Sequence, residues 1–185
     1  YACGHMPIRE ALRQLQGEGL VVLAPNRVAR VRAVDVEFVR NLFDMRIAIE
    51  AMLARRAAER IQRPQVVELE AVQDQYEAKA KLRDYAELLR LNRRFHGVIS
   101  EAARNPEAGA VLDRHRRLIG ALWTLHGYGD HRIAGVISDH RHLIAALAAR
   151  EADVAASLAM AHAAKAKQEL LAHMLAKDGA AKAAA

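Results

Sequence analysis

From Asp35 onward the sequence reads as one helical run after another. Apolar residues recur at three- and four-residue spacing through about 35–61, 65–82, 85–104, 106–125, 131–149 and 153–176, with only a few residues between runs. Connections that short turn each helix back on the last, so the six runs predict an antiparallel bundle of about 140 residues. The breaks carry matching chemistry. Asp35 reads as an N-cap, and Asp84 with Glu87 forms a D-x-x-E capping signal. At Asn105-Pro106 the asparagine caps while the proline takes the first helical position, where its missing N–H costs nothing. Asp130 and Asp153 stand at the next two starts. Alanine dominates the apolar residues and only 4% of the chain is aromatic, which points to helices packed at close range.

The residues before Asp35 have a different character. Ile8, Ala11, Leu12 and Leu15 mark a short helix from Pro7 to about Gln16, ended by Gly17 and Gly19. Val21 to Leu23 and Val28 to Val34 then read as two strands around Ala24-Pro25-Asn26. The organisation is therefore mainly α: a helix-plus-hairpin unit over 1–34, a helical bundle over 35–177, and a flexible tail over 178–185 whose Ala-Lys-Ala repeats have no apolar face. Tyr1 in place of a methionine puts the expected start of the protein further upstream.

Several function classes drop out at once. No apolar run approaches the ~18–20 residues of a membrane span, and no signal peptide opens the chain. One cysteine, Cys3, leaves no internal disulfide framework and fits a reducing cytoplasm. The net charge of +6 allows an anionic partner. Half of that excess sits in the first 34 residues, where Arg9, Arg13, Arg27, Arg30 and Arg32 outnumber Glu10 and Glu18. Arg9 and Arg13 share one helical face, and Arg30 and Arg32 one side of the hairpin, opposite Ala29, Val31 and Ala33. An arginine-bearing helix can enter a major groove, and a basic hairpin beside it can hold the backbone or the minor groove. Charge alone fits a solvated face equally well.

The pattern decides between those readings. Met6-Pro7-Ile8-Arg9-Glu10-Ala11-Leu12-Arg13-Gln14-Leu15-Gln16-Gly17-Glu18-Gly19-Leu20-Val21 resembles the recognition helix and wing of GntR-family winged helix-turn-helix repressors, P-x-R-E-A-L-x-x-L-x-x-x-G-L. Pro25-Asn26-Arg27 resembles their wing tip. The resemblance implies a partial winged helix-turn-helix with Arg9 and Arg13 along the recognition helix, His5 near its start, and Asn26 and Arg27 at the wing. His5 stands where the family often has arginine, which implies a different operator preference. The front helices of the motif are not among these residues, so the chain alone is expected to bind DNA poorly.

Nine histidines invite a test of convergence. Asn92 and His96 lie at i and i+4 on one helix. His140 and His162 each stand 11 residues from the turn near Glu151, so an antiparallel hairpin sets them level. Counting through the turns at Asn105 and Gly129 brings His96 to the same height. Three imidazoles and an amide at one depth of a bundle make a candidate metal site. His142, two residues from His140, faces elsewhere, and His115, His126, His131 and His173 have no level partner. Trp123 and Phe95 read as core.

These positions also resemble a family pattern. The helical part is similar to the FCD effector-binding domain of the FadR subfamily of GntR regulators. Metal-binding members carry D-x-x-x-H, a histidine in E-H-x-x-[IL], and a histidine about 22 residues on. Here the sequence reads Asn92-Arg93-Arg94-Phe95-His96, then Asp139-His140-Arg141-His142-Leu143, then His162. Asn92 departs from the aspartate pattern, offers only a neutral carbonyl oxygen, and leaves the site one charge more positive. Three histidines suit a divalent transition metal such as Zn or Ni better than Ca or Mg.

The resemblance implies a cytoplasmic, homodimeric transcriptional regulator, most often a repressor. It would bind a palindromic operator and be relieved when a small carboxylate effector occupies the metal site. Arg46 is a candidate for the effector's carboxylate, or else an i,i+4 partner of Glu50. Two alternatives stay open. One is a metal-free or purely structural bundle with constitutive DNA binding. The other is a three-histidine metal hydrolase, for which Asp139 and Glu101 are the nearest candidate bases and neither is well positioned, so no enzyme is expected.

Overall fold

A computed structural model describes residues 4–17, 21–23 and 29–183. Two compact units divide the chain, residues 1–38 and 39–185.

In the first unit, α1 spans His5–Gly17 and is followed by β1 (Val21–Leu23) and β2 (Ala29–Val31). The strands pair antiparallel, Val21 opposite Val31 and Leu23 opposite Ala29. Among the described residues β2 ends at Val31, short of the expected end at Val34. Beyond the strand, the Arg32 guanidinium lies 4.3 Å from the centre of the Phe38 ring. Among the described residues of this unit only Val21 is a buried hydrophobic. Ile8, Leu15 and Val31 are all exposed.

The second unit holds the helices α2 (Val36–Arg60, all but its first three residues), α3 (Arg63–Lys81), α4 (Tyr85–Ala102), α5 (Pro106–His126), α6 (Asp130–Ala148) and α7 (Ala152–Ala183). The starts are fixed by side chains. Asp35 accepts from the Phe38 amide at 2.8 Å, Asp84 from Glu87 at 3.3 Å and Asn105 from Ala108 at 3.1 Å. Pro64 and Pro106 occupy first-turn positions. α7 continues to Ala183, past the expected end at 176 and into the segment read as a tail. Alanine and lysine are strong helix formers, so the Ala-Lys repeats hold helical dihedrals without an apolar stripe.

α3, α4, α5, α7 and α6 neighbour one another in that cyclic order, and α2 buries one face, from Val39 through Leu53 to Ala58. Ala57, Ala58, Ala103, Ala155 and Ala163 are fully buried, which lets backbones approach closely around Tyr76, Phe43 and Phe95. Three turns pass through the left-handed region at arginine: Arg83 (φ 53°), Arg104 (φ 51°) and Arg150 (φ 59°). Glycine is the usual residue there. Arg150 compensates by donating to the carbonyls of Glu59 (3.0 Å) and Ile61 (2.9 Å) at the end of α2. Arg60 likewise donates to the Ala103 carbonyl at 2.9 Å, closing α4.

Candidate metal centre

Each of three buried histidines sits inside the apolar stripe of its helix. His96 follows Leu88, Leu91 and Phe95 on α4, and His140 lies between Val136 and Leu143–Ile144 on α6. His162 stands among Ala155, Ala159 and Ala166 on α7. Core packing of those stripes carries the imidazoles inward with it. The ring centres lie 5.3 Å (His96–His140), 5.2 Å (His96–His162) and 5.1 Å (His140–His162) apart, nearly an equilateral triangle. One ligand atom from each falls within 4.8 Å of the others.

The far side of the cluster is tied down. His140 Nδ1 pairs with Gln73 Oε1 of α3 at 2.9 Å, and His162 Nδ1 with Asp139 Oδ2 at 3.1 Å. The Phe95 ring stacks flat on His140 at 3.8 Å. Both imidazoles are thus held in orientation through one nitrogen, as metal-ligating histidines are by their supporting shell. Meanwhile Nε2 of His96, Nε2 of His140 and Oδ1 of Asn92 are buried without a hydrogen-bond partner. Burial pushes His96 and His140 well below the ordinary histidine range, reinforced by the neighbouring imidazoles and arginines. Burial also lowers His162, although Asp139 opposes it. Neutral imidazoles with orphaned nitrogens fit a transition metal ion by donor type and protonation state. Asn92 is one turn before His96 on the same face of α4.

Neither candidate base is free to serve a hydrolase. Asp139 accepts from His162 and, through Oδ1, from Lys165 at 2.6 Å, and its pKa is held at about 2. Burial raises that pKa, but the two hydrogen bonds outweigh it. Glu101 is exposed and bonded to Arg94 at 2.9 Å.

A second polar cluster adjoins the first. Arg46, Arg116 and Arg132, from α2, α5 and α6, are buried, and among the described residues Glu50 is the single carboxylate residue buried to the same degree. Arg46 Nε donates to Glu50 at 3.0 Å, the i,i+4 pair its spacing allows. The same side chain lines a cavity of about 30 Å³ with Asn92, Arg116, Trp123, Tyr128 and Arg132. Burial raises the Glu50 carboxyl, yet Arg46, Arg116 and His162 prevail and keep it below the ordinary value. Arg116 reaches Ser100 Oγ at 3.1 Å and the His96 carbonyl at 3.3 Å, which joins the two clusters. The Nε atoms of Arg116 and Arg132 are buried without a hydrogen-bond partner, although Glu169 lies 3.5 Å from that of Arg132. Arg116 also pairs with Asp113 at 3.0 Å, so each arginine has a carboxylate neighbour, and an anion entering the cavity would meet the N–H groups left unpartnered.

Sequence reasoning missed Arg116, Arg132 and Gln73, and with them the supporting part that Asp139 plays. The available signal was a charged or amide residue inside an apolar stripe: Arg116 lies between Leu112 and Ile119, and Gln73 between Leu69 and Tyr76. Of the other histidines, His142 is exposed, and His131 pairs with Glu169 at 3.1 Å. His115 is buried on α5, where burial lowers its pKa. Arg9 and Arg13 are exposed on α1 one turn apart. Asn26 and Arg27 lie outside the described residues, as does Cys3, and the side chain of His5 is likewise not described.

Comparison with known proteins gives these features a context. Residues 41–165 match the FCD domain family, a span that contains Arg46, Asn92 and all three clustered histidines. Over 163 residues the chain is 23% identical to the HTH-type transcriptional regulator YdhC of Bacillus subtilis, covering 88% of this chain and 73% of that protein. Over 97 residues it is 32% identical to the HTH-type transcriptional repressor RspR of Escherichia coli, covering 52% and 42%. Among solved structures it is similar to E. coli McbR/YncC, with a TM-score of 0.76 at 18% identity over 96% of this chain and 87% of that one. It is also similar to a GntR-family transcriptional regulator from Pseudomonas syringae, with a TM-score of 0.63 at 20% identity over 95% and 73%.

Proposed function

The chain belongs to the FCD-domain group of GntR-family transcriptional regulators, and from that premise we propose that its helical unit is a metal-dependent sensor of a small organic acid. His96, His140 and His162 would hold a divalent transition metal, zinc or nickel, with Asn92 beside them. The observation that carries this reading is the buried imidazole triangle, with Nδ1 of His140 and His162 fixed and Nε2 of His96 and His140 orphaned. When bound, the metal supplies positive charge and coordination positions open to an anion. The arginines add to that charge, Arg46 and Arg116 from one side and Arg132 from another.

Sensing requires only that the effector bind two arrangements of the protein unequally. Effector binding would then change the operator affinity of a homodimer, in the sense of a repressor relieved by its ligand. In the first unit, Arg9 and Arg13 would contact DNA along α1, with His5, Asn26 and Arg27 at the helix start and wing. The exposure of Arg9 and Arg13 on one helical face supports that assignment.

Elemental analysis of dialysed, untagged protein tests the metal. About one equivalent per chain is expected, and none after incubation with zinc or nickel would sink the metal reading. Operator binding with and without added carboxylates tests the sensor. Affinity that no carboxylate changes would leave a structural bundle with constitutive DNA binding.

A further inference from the structure

The arginine-lined cavity has room for about two waters, enough for a carboxylate head but not for the body of a metabolite. It is not closed off on all sides. Leu89, Trp123 and Tyr128 also form the wall of a second space, a groove of about 480 Å³ bordered by Tyr85, Ala86 and His173. Cation is concentrated on the inner side of that wall, and the outer side is mainly apolar and aromatic. We infer that the effector is a monocarboxylate with an apolar tail, its head accepting hydrogen bonds from Arg46, Arg116 and Arg132 and its tail lying past Trp123 and Tyr128 in the groove. This rests on the organic-acid reading above and adds the shape of the molecule.

The wall is built to part. Tyr128 stands between Gly127, whose φ of 103° only glycine adopts readily, and Gly129. Its hydroxyl is latched to Tyr76 by a 2.8 Å hydrogen bond, and its ring meets Trp123 edge to face at 5.4 Å. Arg132 also bonds to that hydroxyl, so the Tyr128 ring is held by polar contacts at its tip on the most permissive stretch of backbone between α5 and α6. A tail passing there would touch Trp123, the chain's single tryptophan, so its fluorescence reports occupancy directly.

The test is a homologous series, acetate through octanoate, titrated into the zinc-loaded full chain by calorimetry and Trp123 fluorescence, with malonate and citrate alongside. Affinity is expected to rise by about fourfold per methylene once the tail reaches the groove, with the longer acids shifting Trp123 emission. Filling the groove with Ala86→Phe should flatten the series and leave acetate binding unchanged. Carboxylates that bind with no chain-length dependence, or citrate outcompeting octanoate, would overturn the tail assignment and leave the organic-acid sensor standing. If no acid of any length binds, the sensor reading itself fails. If Ala86→Phe changes the oligomeric state and not the slope, a second copy of the chain covers the groove and the inference is wrong.

Discussion

Two buried polar clusters lie side by side in this bundle, and they are prepared in opposite ways. The histidine triangle is neutral, supported from behind by Gln73 and Asp139, with unpartnered nitrogens inside. The arginine cluster is permanently charged, balanced by Glu50, Asp113 and Glu169, with unpartnered Nε atoms of its own. Neutral donors at a desolvated point suit a cation, whereas buried guanidinium groups suit an anion. Arg116 bonds to the His96 carbonyl, which joins the two clusters.

The comparison breaks most sharply if the clusters can be emptied separately. His140→Ala should take metal content from about one equivalent to none by elemental analysis, a loss beyond the ~10–100-fold that a supporting partner contributes. Arg116→Met should leave the metal in place. If both variants lose it equally, the two clusters are one site. Next in size, Glu50→Gln strips the arginines of their buried counter-charge and should cost about 3–5 kcal/mol in urea denaturation, with the histidine triangle still competent for metal.

Acid should separate the clusters without mutation. The three histidines are neutral when folded and take up protons when unfolded, so the unfolded state binds more protons and stability falls as pH drops below about 6.5. In chelator, the urea midpoint should fall between pH 6.5 and 5.5, by up to about 1.4 kcal/mol for each histidine that stays neutral. The arginines contribute nothing in that window, and a flat profile would contradict the buried neutral triangle. Gln73→Leu removes the partner that orients His140 and should weaken metal binding by ~10–100-fold, measured by chelator competition. The smallest change is Asn92→Asp, where one added ligand charge should tighten metal binding by about tenfold. It should also weaken anion binding, and a metal affinity that does not move would place residue 92 outside the site.

The histidines were legible because equal counts from a shared turn put residues level, whatever the details of packing. His140 and His162 needed only the turn near Glu151, and the capping residues fixed the other turns. The arginines were not, because Arg46, Arg116 and Arg132 come from helices whose adjacency in space no count along the chain reveals. Gln73 and Asp139 were hidden for the same reason. Each supports a histidine across a helix boundary, and Asp139 in particular looks turned away when only its neighbour His140 is considered. In the first unit the helix and hairpin were legible from the periodicity and the turn residues, while β2 ends three residues before the expected Val34.

The left-handed arginines at 83, 104 and 150 bear on how the ends of the helices are held. A side chain in that conformation costs about 1–2 kcal/mol relative to the right-handed alternative, so glycine at these turns would relax the backbone. At Arg150 it would also cut two hydrogen bonds to the end of α2. The chain accepts local strain and obtains a rivet between helix ends far apart in sequence. Helices riveted at their ends cannot fray one at a time.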